Sequence, residues 1–253
     1  MSILEVSGLR KEFSGLIALA NLSLSIPEGG ITAVIGPNGA GKTTLFNVVS
    51  GFIPATAGKV LYRGRPILGL KPHQIVSLGI VRTFQNVRLF KDMTVLENVM
   101  AACRVDPQPK LFSAALRLPG FREKERLIRE RALKWLSLVG LEKEQGRRAS
   151  ELPFGQQRLL EIARAVAAEP GLMLLDEPAA GLNRLELQAL SRILLRIRRR
   201  EITLVVVEHN IDFVMGIAER VVVLDKGAKI AEGTPGSIRQ HPRVLAAYLG
   251  EEI

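Results

Sequence analysis

Ile31-Thr32-Ala33-Val34-Ile35-Gly36-Pro37-Asn38-Gly39-Ala40-Gly41-Lys42-Thr43-Thr44 decides the fold. Five residues without a charge read as a buried strand, and they run directly into a glycine-rich turn. Lys42–Ser50 then reads as a helix, closed by Gly51. Strand, glycine-rich turn and helix in this order satisfy the phosphate-binding loop pattern. Gly36, Gly39 and Gly41 let the backbone curl so that its N–H groups converge on phosphate oxygens. Pro37, Asn38 and Ala40 complete the turn, and the helix adds its positive dipole end. Lys42 is expected to reach the outer phosphates. The Thr43 hydroxyl is expected to ligate Mg²⁺, and Thr44 to bond an inner phosphate.

Working outward, the chain alternates. Before the loop, Ile3–Val6 and the set Leu22, Leu24 and Ile26 read as strands, ended by the turn Pro27-Glu28-Gly29-Gly30. After it, Lys59–Tyr62 and Ile80–Phe84 are strand candidates. From Leu152 onward the pattern is helix Gln156–Ala168, strand Leu172–Leu175, helix Leu185–Arg200, strand Thr203–Val207 and strand Val221–Leu224. Such alternation implies an α/β fold with a largely parallel sheet. From Asn86 to Ser150 the pattern is helical. Thr94-Val95-Leu96-Glu97 reads as a capping box. Pro107, Pro109, Pro119 and Gly120 read as helix breaks, and Ile128, Ala132, Trp135 and Val139 form a stripe at helical spacing.

Strand ends carry the other candidate groups. Asp176 ends the run Leu172-Met173-Leu174-Leu175, where ligands bind in α/β sheets, and can hold a Mg²⁺ shell. Glu177 is one residue further, points elsewhere, and can orient or deprotonate an attacking water. His209 follows Val205-Val206-Val207-Glu208 and is placed for a γ-phosphate contact. Gln85 follows Thr83-Phe84, and its neutral amide can serve metal, water and a moving loop. Gly155 precedes the Gln156 helix, whose N-terminus is an anion site. An inserted helical lobe separates it from the glycine-rich loop. A second subunit's nucleotide is therefore its expected ligand, which implies a head-to-tail dimer with ATP at the interface.

Bulk composition narrows the class. Hydrophobic residues make up 47% and charged residues 24%, as in soluble globular proteins. No apolar run approaches a membrane span, and the Met1-Ser2-Ile3-Leu4-Glu5 start lacks the form of a signal peptide. The single Cys103 cannot form an internal disulfide and reads as a small core residue. A cytoplasmic setting is expected. The net charge of +10 raises nucleic acid or anionic lipid as partners. However, its densest stretch, Arg192, Arg196 and Arg198–Arg200, lies on a helix whose apolar stripe is Leu187, Leu190, Leu194 and Ile197. The arginines read as that helix's wet face.

Together these motifs resemble the ATP-binding cassette (ABC) ATPases over essentially the whole chain. The resemblance implies one ABC ATPase domain over 1–253. Residues 1–85 and 151–253 would form the P-loop core with an N-terminal antiparallel β subdomain, and 86–150 the inserted helical subdomain. It implies ATP and Mg²⁺ as cofactors. Gly36 to Thr44, Gly155 and Gln156 would bind nucleotide, with Phe13 stacking on adenine. Thr43, Gln85 and Asp176 would serve the metal, and Glu177, His209, Gln85 and Lys42 catalysis. The family signature Leu-Ser-Gly-Gly-Gln reads Leu152-Pro153-Phe154-Gly155-Gln156 here. The serine hydroxyl is lost and Pro153 has no N–H, so backbone donors around Gly155 must carry more of the contact. Asn183 stands where the D-loop usually has Asp.

The Phe154-Gly155-Gln156-Gln157 signature, Val81–Phe90, Asp176–Asn183 and the tail Ala247-Tyr248-Leu249-Gly250-Glu251 are similar to the larger ATPase subunit of branched-chain amino-acid importers. That implies as partners a second ABC ATPase, identical or related, two membrane permeases and, indirectly, an extracytoplasmic binding protein. It implies no nucleic acid, and a peripheral place on the cytoplasmic face of the membrane. Phe90 and Met93 become candidates to meet a permease. A DNA-repair or chromosome ATPase of the same superfamily is the alternative. It expects a long coiled coil or zinc modules, and the sequence has neither a heptad run nor a cysteine cluster. A ribosome-associated factor would carry two cassettes, and a GTPase an Asn-Lys-x-Asp motif; neither is present.

Overall fold

The computed structural model describes residues 1–103 and 119–249. Pro107, Pro109, Gly250 and Glu251, singled out above, lie outside the described residues. Contacts divide the chain into two compact units, residues 1–85 with 171–253, and residues 86–170.

The first unit holds two sheets. β1 (Ser2–Phe13) and β2 (Leu16–Pro27) pair antiparallel, and β4 (Ala57–Tyr62) and β5 (Arg65–Pro66) extend that sheet in the order β2-β1-β4-β5. β1 and β2 run much further than their alternating segments indicate, because register shifts between Val6 and Lys11 break the period of two. The second sheet has the order β10-β9-β3-β8-β7-β6. It comprises β3 (Ile31–Ile35), β6 (Ile80–Arg82), β7 (Leu172–Asp176), β8 (Thr203–Val207), β9 (Arg220–Asp225) and β10 (Ala228–Gly233). β3, β7 and β8 are buried at every residue, which is why they read as unbroken apolar runs rather than alternating ones. Pairing is parallel from β9 through β3, β8 and β7 to β6. β10 alone joins antiparallel, as an edge strand of mixed burial that sequence periodicity did not reveal.

Parallel strands place their C-terminal ends along one edge of the sheet. Val34 and Asp176 both stand opposite Val207, and Arg82 opposite Leu174. The segments that follow these strands (the glycine-rich loop, Glu177, Glu208-His209 and Gln85) therefore leave from the same edge. Helix α1 (Lys42–Val49) buries Leu45, Phe46, Val48 and Val49. A short α2 (Pro72–Leu78) precedes β6.

The second unit packs α3 (Val95–Met100), α4 (Pro119–Val139) and α5 (Phe154–Ala167) against one another. The capping box is present: Thr94 Oγ1 accepts from the Glu97 N–H at 3.2 Å, and Glu97 Oε2 accepts from the Thr94 N–H at 2.8 Å. Val95 and Val99 on α3, Ala132, Leu136 and Val139 on α4, and Leu160, Ala163 and Val166 on α5 are buried. Sequence reading ends this unit at 150. Contacts carry it to 170, because the apolar face of α5 packs on α3 and α4. Pro119 and Gly120, read above as helix breaks, fall within α4. Cys103 is only partly buried. Burial still pushes its thiol up to about 11.

Back in the first unit, α6 (Arg184–Arg198) and α7 (Ile211–Ile217) follow β7 and β8. α8 (Pro235–Arg239) and α9 (Pro242–Leu249) follow β10. On α6, Leu190, Leu194 and Ile197 are buried and Arg192 and Arg196 exposed, as the stripe predicts, whereas Leu187 and Arg198 are half-buried; Arg199 and Arg200, just past the helix, are exposed. Among the described residues, no helix is long and apolar enough to cross a membrane.

Candidate functional site

The glycine-rich turn leaves β3 at Gly36, where a Cβ would stand 2.0 Å from the Leu224 carbonyl oxygen of β9. Only glycine fits there. Gly39 and Gly41 have φ of +83° and +97°, the left-handed region that side chains disfavour. Gly41 ends the turn as the N-cap of α1, with no side-chain cap, so the first N–H groups of that helix face the turn. Lys42 is buried, and its Nζ donates to the carbonyl oxygens of Gly36 (2.7 Å) and Pro37 (2.9 Å). Burial lowers its pKa; Glu177 and, more weakly, Asp176 hold it up.

A cavity of about 350 Å³ opens over this turn. Residues Asn38 to Thr44 form its floor, Phe13, Leu16 and Ala18 one wall, and Glu177 and His209 the other. Phe13 is 42% exposed, which a core aromatic would not be. Lys11 Nζ sits 4.6 Å from its ring centroid. That contact orients the ring.

Glu177 is the hub of the second wall. Its φ of +46° is left-handed, so the chain turns sharply after Asp176 and the two carboxylates diverge. Gln85 Nε2 donates to Glu177 Oε2 at 2.8 Å, and His209 Nε2 lies 2.8 Å from Oε1. Each carboxylate oxygen thus meets a different side chain. Asp176 is buried, and its Oδ2 accepts from Arg82 Nη2 at 2.7 Å.

Sequence reading missed two members of this neighbourhood. Arg82 is one. The other is Glu208, a buried carboxylate that accepts from the N–H groups of Ala179 (2.6 Å), His209 (3.0 Å) and Asn210 (3.4 Å). It ties the turn after Glu177 to the turn bearing His209. Burial pushes its carboxyl up from the ordinary value; the three N–H groups pull it back, and the Glu177 charge adds to the rise. The available signal was a charged residue at the end of a buried strand, which must find a partner. Asn183 also gains an explanation. It caps α6, accepting from Leu185 and Glu186, while Glu186 returns to the Asn183 N–H. An amide oxygen serves this cap as well as a carboxylate would.

Gly155 and Gln156 lie in the other unit, in the first turn of α5. Pro153 is the N-cap and provides no side-chain bond, so the N–H groups of that turn lack the usual cap. Phe154 is 48% exposed.

The residues fit a nucleotide with its magnesium. Thr43 and Asp176 offer hard oxygen donors of the kind Mg²⁺ takes, and Gln85 an amide. Among the described residues, no three His, Cys, Asp or Glu side chains could hold a metal by themselves. An ion here would therefore depend on phosphate oxygens as well, as is usual for magnesium in nucleotide sites.

Comparison with known proteins places the chain in a family. The family model "ABC transporter" matches residues 19–180, and "Branched-chain amino acid ATP-binding cassette transporter" matches 228–253. The high-affinity branched-chain amino acid transport ATP-binding protein LivG of Salmonella typhimurium is 45% identical over 250 residues, covering 98% of each chain. An ATP-binding cassette of an ABC transporter, solved in its ADP conformation, superposes with a TM-score of 0.85 at 33% identity, covering 99% of this chain and 100% of that one. A dimeric ATP-binding cassette in a post-hydrolysis state, bound to ADP and Pi, gives 0.76 at 25% identity over 92% and 98%.

Proposed function

The chain belongs to the ABC transporter family of ATPases, and on that premise we propose that it energises uptake of branched-chain or related amino acids. It is an ATP-binding subunit that hydrolyses ATP. The observation that carries the transport reading is likeness to LivG over 98% of the chain, together with the branched-chain family model's match to the C-terminal segment 228–253. The alternative of a DNA-repair or chromosome ATPase has no comparable support.

In this reading the N–H groups of Gly36 to Thr44 and the α1 dipole hold the triphosphate, Lys42 pairs with its outer oxygens, and Phe13 stacks on the base. Thr43, Gln85 and Asp176 are the residues that would hold Mg²⁺. That ion, when bound, neutralises charge on the β- and γ-phosphates. With no nucleotide bound, Gln85 and His209 fix the plane of the Glu177 carboxylate. With ATP on the turn, His209 gives its ring N–H to the γ-phosphate, Gln85 keeps its hold, and Glu177 takes the proton of the attacking water. Gly155 and Gln156, with the uncapped N–H groups of α5, address the nucleotide of a second ATPase subunit. Closure of that dimer on ATP moves two membrane permeases, and product release reopens it. Residues 1–85 and 171–253 act as the core and 86–170 as the lobe that meets the permeases. The working place is the cytoplasmic face of the membrane.

Deletion tests this directly. Cells lacking the chain should lose high-affinity uptake of labelled leucine, isoleucine and valine, and regain it with the wild-type chain but not with Glu177→Gln. Unchanged uptake, with the chain recovered on nucleic acid at physiological salt, would contradict the proposal.

A further inference from the structure

Arg82 is a buried cation that links the metal side of the site to the far end of α1. Its side chain and that of Asp176 are only 5% and 6% exposed, and Nη2 donates to Oδ2 at 2.7 Å. Nη1 donates to Asn47 Oδ1 (2.7 Å) and Ser50 Oγ (3.0 Å), at the far end of the helix that begins at Lys42. The rings of Phe46, Phe52 and Phe84 lie 5.6, 5.9 and 5.1 Å from the guanidinium carbon. Three residues on, Gln85 donates to Glu177. One short segment thus holds both adjacent carboxylates, Asp176 through Arg82 and Glu177 through Gln85.

We infer that Arg82 is a positioning residue for ATP hydrolysis. It fixes the plane of the Asp176 carboxylate and leaves Oδ1 free for the magnesium shell. The inference rests on reading Asp176 as a metal residue. Its physical basis is twofold. A buried carboxylate without a counter-charge is costly, so Asp176 must keep a cation whether or not metal is present. A planar guanidinium fixed at Nη1 by two oxygens, and enclosed by three rings, cannot swing away with the carboxylate as a flexible ammonium can. Oδ2 is therefore committed. Oδ1 accepts no hydrogen bond among the described residues and is not buried without a partner.

The test is Mn²⁺ binding to the ADP-loaded chain, read by loss of the free-ion electron paramagnetic resonance signal. It compares wild type with Arg82→Lys, Arg82→Met and Asp176→Asn. Metal-free ADP affinity and thermal unfolding are followed in parallel. Arg82→Lys should fold, keep metal-free ADP affinity, and lose about 10-fold in Mn²⁺ affinity, since outer-shell partners of metal ligands typically contribute that much. Arg82→Met should lose more. The Mg²⁺ concentration needed for half-maximal hydrolysis should rise in the same order. If Asp176→Asn loses Mn²⁺ affinity while both Arg82 variants keep it, Arg82 is a core ion pair only and the inference fails by itself. If Asp176→Asn also keeps it, the metal reading of Asp176 fails and takes the inference with it. Should Arg82→Met unfold, Arg82→Lys, which retains the charge, carries the comparison, and wild-type Mn²⁺ affinity in it overturns the inference.

Discussion

Glu177→Gln is expected to lower the ATP turnover number by about 10²–10⁴-fold, the range a general base supplies, while nucleotide affinity stays within about threefold. The argument is geometric. Glu177 lines the cavity over the glycine-rich turn, whereas its neighbour Asp176 is buried against Arg82. Its two oxygens meet Gln85 and His209 at 2.8 Å each, so the carboxylate is held in one plane beside the phosphate floor. Glutamine keeps that shape and one acceptor oxygen but cannot take a proton. Binding, which the proposed mechanism assigns to the turn and to Lys42, should survive. Single-turnover hydrolysis with labelled ATP, alongside equilibrium binding of a fluorescent analogue, separates the two. Hydrolysis at the wild-type rate would remove Glu177 from the role of base.

Lys42→Met should do the opposite. ATP affinity should fall by about 30- to 150-fold, the equivalent of roughly 2–3 kcal/mol for a charged group's hydrogen bonds to phosphate. Thermal stability should hardly change. Lys42 is 5% exposed, and burial lowers its pKa, so the fold bears a cost for keeping the cation there. Methionine fills similar volume and removes that cost. Against this stands the loss of two bonds to the carbonyl oxygens of Gly36 and Pro37. These effects oppose each other in stability but not in binding. Isothermal titration with ATP and a thermal melt on the same sample distinguish them. Wild-type affinity would contradict the phosphate role. A large drop in melting temperature together with the affinity loss would show that Lys42 mainly shapes the turn.

The sheet and its active edge were legible because parallel strands announce themselves. β3 and β8 match their predicted bounds, and β7 differs only by including Asp176, since unbroken apolar runs ending in polar residues have few other readings. The capping box at Thr94 and the stripe on α6 were legible for a similar reason, being local patterns with fixed spacing. What escaped depends on partners distant in sequence. The length of β1 and β2 is set by their pairing and hidden by register shifts. α2 buries only Ile75, too little for a periodic signal. Arg82 reads as an ordinary strand residue until Asp176, Asn47 and Ser50 surround it. Glu208 likewise acquires meaning only from the Ala179 N–H, which arrives from another strand end. The insert boundary moved from 150 to 170 because helix packing, not composition, decides to which unit α5 belongs.

The central claim is that one chain brings the phosphate floor with its base, and another brings the turn at Gly155. A structure of the Glu177→Gln chain with ATP and Mg²⁺, in complex with its companion ATPase or a second copy, tests this most directly. The triphosphate should lie on Gly36 to Thr44 of one subunit, with the N–H groups around Gly155 of the other against its γ-phosphate. A triphosphate enclosed by a single chain, with every Gly155 turn far from nucleotide, would contradict it.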